Sequence, residues 1–189
     1  MPDSELMQLA IDAASNARTL TAPNPWVGCA IRSADGSTYV GATEPPGQAH
    51  AEIVALNAAG SQAAGAVLAT TLEPCAHTGR TGPCTEAIIE AGVRRVIIGI
   101  EDPDVNVAGA GIAQLRAAGI DVGVGVKADE ITAQLASYLH HRRTGRPYVI
   151  LKLAATVDGR TAAPDGESEW ITGVAARTDV HQMRAESQA

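Results

Sequence analysis

The segment Val93-Arg94-Arg95-Val96-Ile97-Ile98-Gly99-Ile100 restricts the fold more than any other stretch of this chain. Its apolar residues run together instead of alternating with polar ones. A strand of that kind must be covered on both faces, which is the environment of a parallel sheet between helical layers. The neighbouring segments agree. Ala66 to Leu72 reads as a strand, and Pro83 suits a first helical position, so Cys84 falls in the first turn of a helix ending near Gly92. Ile112 to Ala118 reads as a short helix and Ile120 to Val126 as a strand. Ala128 to about Arg143 reads as a helix whose basic C-terminal end favours the dipole. Upstream, residues 4–18 carry Leu6, Leu9, Ala10, Ala13, Ala14 and Ala17 at helical spacing, with Asp3 or Ser4 as cap. Thr21-Ala22-Pro23-Asn24-Pro25 breaks that helix. Trp26 to Ile31 and Thr38 to Ala42 flank the turn signal Asp35-Gly36 as a hairpin. His50 to about Ala59 is helical, stopped by Gly60. A helix, a hairpin and then alternating helices and strands predict an α/β architecture, a mixed sheet with helices on both faces.

Thr144-Gly145-Arg146-Pro147 marks a boundary, dividing 1–145 from 146–189. Beyond it the sequence predicts a strand from Tyr148 to Ala154 and a helix starting near Thr172 or Gly173. Some forty residues are too few for a domain of their own. A lone strand there leaves an unpaired edge, so it is expected to pack on the first domain or on a partner chain.

The chain has 189 residues, 46% of them hydrophobic and none of them Phe, so the core must be built from small and β-branched side chains. Its formal charge of −7 argues against nucleic acid as a partner. Three cysteines make no disulfide framework. No signal peptide opens the chain and no apolar run would span a membrane, so a cytoplasmic protein with reduced thiols is expected.

The chemistry concentrates between Gly47 and Glu86. His50-Ala51-Glu52 opens a helix, Pro74-Cys75 leaves a strand, and Pro83-Cys84 starts the next helix. One imidazole and two thiolates balance the charge of Zn²⁺ and leave a fourth position for water, the arrangement of a catalytic site. Glu52 would sit beside that water as a proton shuttle without binding the metal. Zinc deaminases as a class pair His-x-Glu with Pro-Cys-x-x-Cys, whereas eight residues separate Cys75 from Cys84 here. The same residues admit a structural zinc module in which His77, between the cysteines, closes a four-ligand shell. Arg80 could hold a substrate phosphate or be a solvated loop side chain. Asn24, held between prolines, could bind a sugar or form a turn. Cys29 reads as a small buried side chain, and His140, His141 and His181 as surface residues.

Taken together, Pro23-Asn24-Pro25-x-Val27-Gly28, His50-Ala51-Glu52, Thr71-Leu72-Glu73-Pro74-Cys75-x-His77-x-Gly79-Arg80-Thr81-x-Pro83-Cys84 and Asp102-Pro103 resemble the deaminase domain of bifunctional riboflavin-biosynthesis deaminase-reductases. Lys152-Leu153, Asp158-Gly159-Arg160 and Trp170-Ile171-Thr172 resemble the start of that family's reductase domain. The resemblance implies a three-layer αβα cytidine-deaminase-like fold with a central mixed sheet of about five strands. It implies hydrolytic deamination of 2,5-diamino-6-ribosylamino-4(3H)-pyrimidinone 5′-phosphate, with His50, Cys75 and Cys84 as zinc ligands and Glu52 as shuttle. Asn24, Thr43, His77, Arg80 and Asp104 fall at substrate-binding positions. Three positions depart from the family pattern. Thr43 stands where a His is frequent, Asp104 where an Asn is expected, and Gly82 where the first Pro of the usual pair before the second Cys is expected. A related pyrimidine, a pterin-like base or a nucleic-acid base is the alternative substrate. One Zn²⁺ per chain, a phosphorylated small-molecule substrate and a homo-oligomer (dimer or tetramer) are expected. NADPH is not expected, because the reductase segment is too short to hold it.

Overall fold

A computed structural model describes residues 2–77, 82–104, 107–162 and 170–187. The chain divides into two units, Met1–Pro147 and Tyr148–Ala189. In the first, α1 (Asp3–Ala17) leads to the hairpin β1 (Gly28–Arg32) and β2 (Thr38–Ala42). Then come α2 (Ala51–Ala59), a 3-10 turn at Gly60–Ala63, β3 (Val67–Leu72), α3 (Cys84–Glu90), β4 (Arg95–Ile100), α4 (Ala110–Ala117), β5 (Asp121–Val124), α5 (Ala128–Gln134) and α6 (Ala136–Thr144). The strand order is β2-β1-β3-β4-β5. β1 is antiparallel to both β2 and β3, whereas β3, β4 and β5 run parallel. The sheet is therefore mixed, five-stranded and flanked by helices, and its central β3 is buried along its whole length.

Two glycines show how closely the layers approach. A Cβ on Gly28 would lie 1.8 Å from the Ala10 carbonyl oxygen in α1, and one on Gly41 would lie 2.5 Å from the Ala51 carbonyl oxygen in α2. Gly41 pairs with Cys29, the neighbour of Gly28. Successive strand residues point to opposite faces, so α1 covers one face and α2 the other. α5 lies on the α1 side, where Gln134 donates to the Ile11 carbonyl and the Ser15 hydroxyl. α2 packs against α3, and α3 against α4. Leu6, Ile31, Leu68, Ile97, Ile98, Leu115 and Ile131 are fully buried between these layers.

The structure departs from the sequence reading in a few places. α1 begins after Pro2 with no side-chain cap; the Glu5 and Leu6 amides donate to the Pro2 carbonyl. Pro83 is the N-cap of α3 with φ −62° and ψ 131°, so Cys84, one residue later, is the first helical residue. The expected single helix from Ala128 is two, parted at fully buried Leu135 with φ −93° and ψ 15°. No Gly or Pro stands there to announce the break, and the helical spacing of buried Ile131, Leu135 and Leu139 continues across it, as do the i to i+4 hydrogen bonds from Leu135 to Ile131 and from Leu139 to Leu135.

In the second unit, the residues expected as a strand, 148–154, form no ladder among the described residues. A strand takes its hydrogen bonds from a neighbour, and apolar, β-branched composition alone does not supply one. A turn joins Thr156 to Arg160, α7 (Val174–Ala185) follows, and Arg177 stacks over Trp170 at 4.5 Å.

Candidate active site

Two helix starts and one strand end bring the chemistry together. His50 is the N-cap of α2, its backbone extended at φ −77° and ψ 162°. Cys75 lies three residues past the end of β3, and Cys84 opens α3. Cys84 Sγ lies 3.3 Å and Cys75 Sγ 3.7 Å from His50 Nδ1. The three ligand atoms lie within 4.8 Å of one another. The backbone holds this arrangement: the Cys84 amide donates to Cys75 Sγ at 3.4 Å, and the Thr85 amide and hydroxyl both donate to the Cys75 carbonyl. Two soft sulfurs and one imidazole nitrogen converging at this size fit a zinc ion, and a three-ligand set leaves a position open. His77, the proposed fourth ligand of a structural shell, is exposed and does not join the cluster.

Charge in this centre is set by burial and proximity. The Cys75 thiol is pushed down to about 4, first by the Cys84 thiol donating to it and then by His50 and the Cys84 amide. Cys84, as that donor, is pushed up. His50 is raised, chiefly by its bond to Cys75. A metal must therefore displace protons on binding. Glu52 is 4% exposed, and burial pushes its carboxyl up to about 7.

A cavity of about 430 Å³ opens beside the cluster. Asn24, Thr43, His50, Glu52, Cys75, His77 and Asp104 all line it. The Thr43 hydroxyl, expected to face substrate, is turned to backbone. It accepts from the Val27 amide at 3.2 Å and donates to the Val27 carbonyl at 3.4 Å. Arg80 lies outside the described residues. Cys29 is fully buried and apart from the cluster.

Four further residues line the cavity: Glu73, Asp102, Tyr138 and Arg142. Glu73 accepts three backbone amides, those of Asp102, Gly109 and Ile112, at 3.0–3.3 Å. This ties the loop before Cys75 to the segment after β4. Asp102 receives the Tyr138 hydroxyl at 3.0 Å and the Asp104 amide at 2.9 Å. Burial raises its carboxyl, and burial together with Asp102 raises the Tyr138 phenol. Arg142 pairs with Asp104 at 3.2 Å and lies 5.3 Å over the Tyr138 ring. Sequence reasoning placed Glu73 and Asp102 within motifs without giving them roles, and it missed Tyr138 and Arg142. The signal available for that pair was their four-residue spacing on α6, which puts both on one helix face.

Comparison with known proteins places this geometry. The sequence model of the cytidine and deoxycytidylate deaminase zinc-binding region matches residues 1–100, which contain His50, Cys75 and Cys84, and that of the RibD C-terminal domain matches residues 147–189. The chain is 46% identical to the riboflavin biosynthesis protein RibD of Escherichia coli over 189 residues, covering 100% of this chain and 52% of that protein. Against RibD of Mycobacterium tuberculosis it is 46% identical over 187 residues, covering 98% and 55%. Among solved structures, Acinetobacter baumannii RibD matches with a TM-score of 0.91 and 47% identity, over 98% of this chain and 52% of that one. The chain thus spans about half the length of the relatives it matches. Its five-stranded mixed sheet, its flanking helices and its His/Cys/Cys group are those of a zinc-binding deaminase domain. The chain belongs to the cytidine and deoxycytidylate deaminase zinc-binding family.

Proposed function

We propose that residues 1–145 catalyse the hydrolytic deamination of 2,5-diamino-6-ribosylamino-4(3H)-pyrimidinone 5′-phosphate, consuming water and yielding 5-amino-6-ribosylaminouracil 5′-phosphate and ammonia. The observation that carries the reading is the convergence of His50, Cys75 and Cys84, with His50, Cys75 and a buried Glu52 lining one cavity. The similarity to RibD proteins supports the choice of substrate. His50 Nδ1 and the two sulfurs would hold the ion. Bound zinc supplies an activated water near neutral pH. Glu52, its carboxyl near 7, takes up a proton and delivers one to the departing amine. A shuttle of that kind contributes on the order of 10²–10⁴-fold in rate. Asn24, His77 and Asp104 line the space where the pyrimidine and its sugar would lie; Arg80 is proposed to reach the phosphate.

Zinc content and ammonia release, measured for the wild type and Glu52→Gln, test this reading. Full zinc in both, with deamination in the wild type alone, is the expected outcome. Zinc in the wild type with no deamination, together with metal loss in His77→Ala, would favour a structural zinc module. Residues 146–189 are proposed as the start of a reductase-like domain. The purified chain is expected not to oxidise NADPH, and stoichiometric oxidation would reverse that assignment.

A further inference from the structure

The chain passes from β2 into α2 through a short loop that ends on His50, and hydrogen bonds hold it on both sides of that residue. The Thr43 amide donates to the Val27 carbonyl at 3.0 Å, which fixes the start of the loop. Glu44 and Ala49 then close its neck. The Glu44 amide donates to the Ala49 carbonyl at 3.0 Å, and the Ala49 amide donates to Glu44 Oε2 at 3.1 Å. Inside the neck, the Gln48 amide donates to the Pro45 carbonyl at 3.0 Å. That turn has Pro46 at its second position and Gly47, with φ +91°, at its third, as a type II turn requires. Beyond His50, the Val54 amide donates to the His50 carbonyl at 3.1 Å. The ring itself has less support. Among the described residues it forms hydrogen bonds only through Nδ1, to the two sulfurs. A metal-ligating histidine ordinarily has its other ring nitrogen held by a second group. No described protein group does this for His50 Nε2, so the aim of the imidazole depends on its backbone. Glu44 holds that backbone by a side-chain bond one residue before the ligand.

We propose that Glu44 is a positioning residue of the metal centre: its carboxylate fixes the Ala49 amide and so holds the backbone that aims His50 at Cys75 and Cys84. The inference rests on the reading of those three residues as zinc ligands. Without the carboxylate, the Ala49 peptide must be ordered as the ion is captured, and that entropy is lost from the binding. Removing a partner that orients a ligand lowers metal affinity about 10–100-fold, and a partner that acts through the backbone belongs at the lower end.

Zinc affinity of the full 189-residue chain, measured by competition with a chromophoric chelator, tests the proposal without any deamination. Glu44→Ala and Glu44→Leu remove the acceptor at two side-chain sizes, and both should weaken zinc about tenfold. Glu44→Gln keeps an oxygen that can accept the Ala49 amide and should stay within about threefold of wild type. His50→Ala should weaken zinc more than either. On that background Glu44→Ala should change affinity by less than about twofold, because the residue it positions is gone. Cobalt(II) gives a second readout, since its visible bands report the ligand set and geometry. The bands should shift in Glu44→Ala and return in Glu44→Gln. A merely structural role would lower the denaturant midpoint of the chelated chain and leave the bands in place. Four results would overturn the proposal: unchanged zinc affinity in Glu44→Ala and Glu44→Leu, Glu44→Gln as weak as Glu44→Ala, an equal loss on the His50→Ala background, or cobalt bands that do not move. Wild-type zinc affinity in His50→Ala would refute the metal-site reading, and this inference with it. A chain that meets the zinc expectations but releases no ammonia from the pyrimidine nucleotide would refute the substrate assignment and leave this inference standing.

Discussion

Burial couples the protonation of Glu52 to the stability of the metal-free chain. Its carboxyl sits at about 7 in the fold against an ordinary 4.5, with desolvation the leading cause. The folded state holds this proton more tightly than the unfolded state. The stabilising contribution is therefore complete below pH 4.5 and is lost as pH rises to about 7, a change of about 3 kcal/mol. Glu52→Gln keeps the shape and cannot ionise. In chelated protein, its stability relative to wild type should climb across that window, as read from denaturant midpoints; a margin flat with pH would contradict the assignment. At this scale the grouping of His50, Cys75 and Cys84 was legible because their residue types are rare together and each stands at the end of an element. Arg142 was not. A basic residue at a helix C-terminus already has an explanation in the dipole, and its pairing with Asp104 is a tertiary contact that no local pattern encodes.

Elements in this protein are tied by buried polar side chains that bind backbone amides as well as by apolar packing. Glu73, 4% exposed, joins the β3–α3 loop to the segment after β4 and the first turn of α4 through hydrogen bonds from three backbone amides. Glu73→Gln keeps its volume but turns an NH₂ toward at least one amide, and should cost about 2 kcal/mol. A denaturant titration would report it, and an unchanged midpoint would mean that the amides find other partners. Gly28→Ala should cost about 3 kcal/mol or more, since its Cβ would meet the Ala10 carbonyl oxygen at 1.8 Å. The hairpin, β3 and β4 could be read from turn chemistry and apolar runs. The break at Leu135 could not, because no Gly or Pro marks it, nor could the absence of a ladder at 148–154 among the described residues, because a ladder depends on a neighbouring strand rather than on propensity.

For the whole molecule, the buried apolar core among the described residues lies within Met1–Pro147. A chain ending at Pro147 is expected to unfold cooperatively and to bind one zinc, as checked by calorimetry and metal analysis; loss of either would show that the remaining residues are required for folding. No helix among the described residues is long and apolar enough to cross a membrane. The architecture was legible as alternating elements, while the strand order that the candidate metal ligands bridge was not. His50 follows the edge strand β2, Cys75 leaves the central β3, and Cys84 leads toward β4. An ion held by all three would act as a reversible cross-link, closing chain loops of 25 and 9 residues and removing entropy from the unfolded chain as a disulfide does. The seam it spans is the antiparallel pairing of Cys29 to Arg32 with Thr70 to Val67, where the hairpin half of the sheet meets the parallel half. Chelation should therefore speed amide exchange along that seam before it reaches the ladder between β3 and β4.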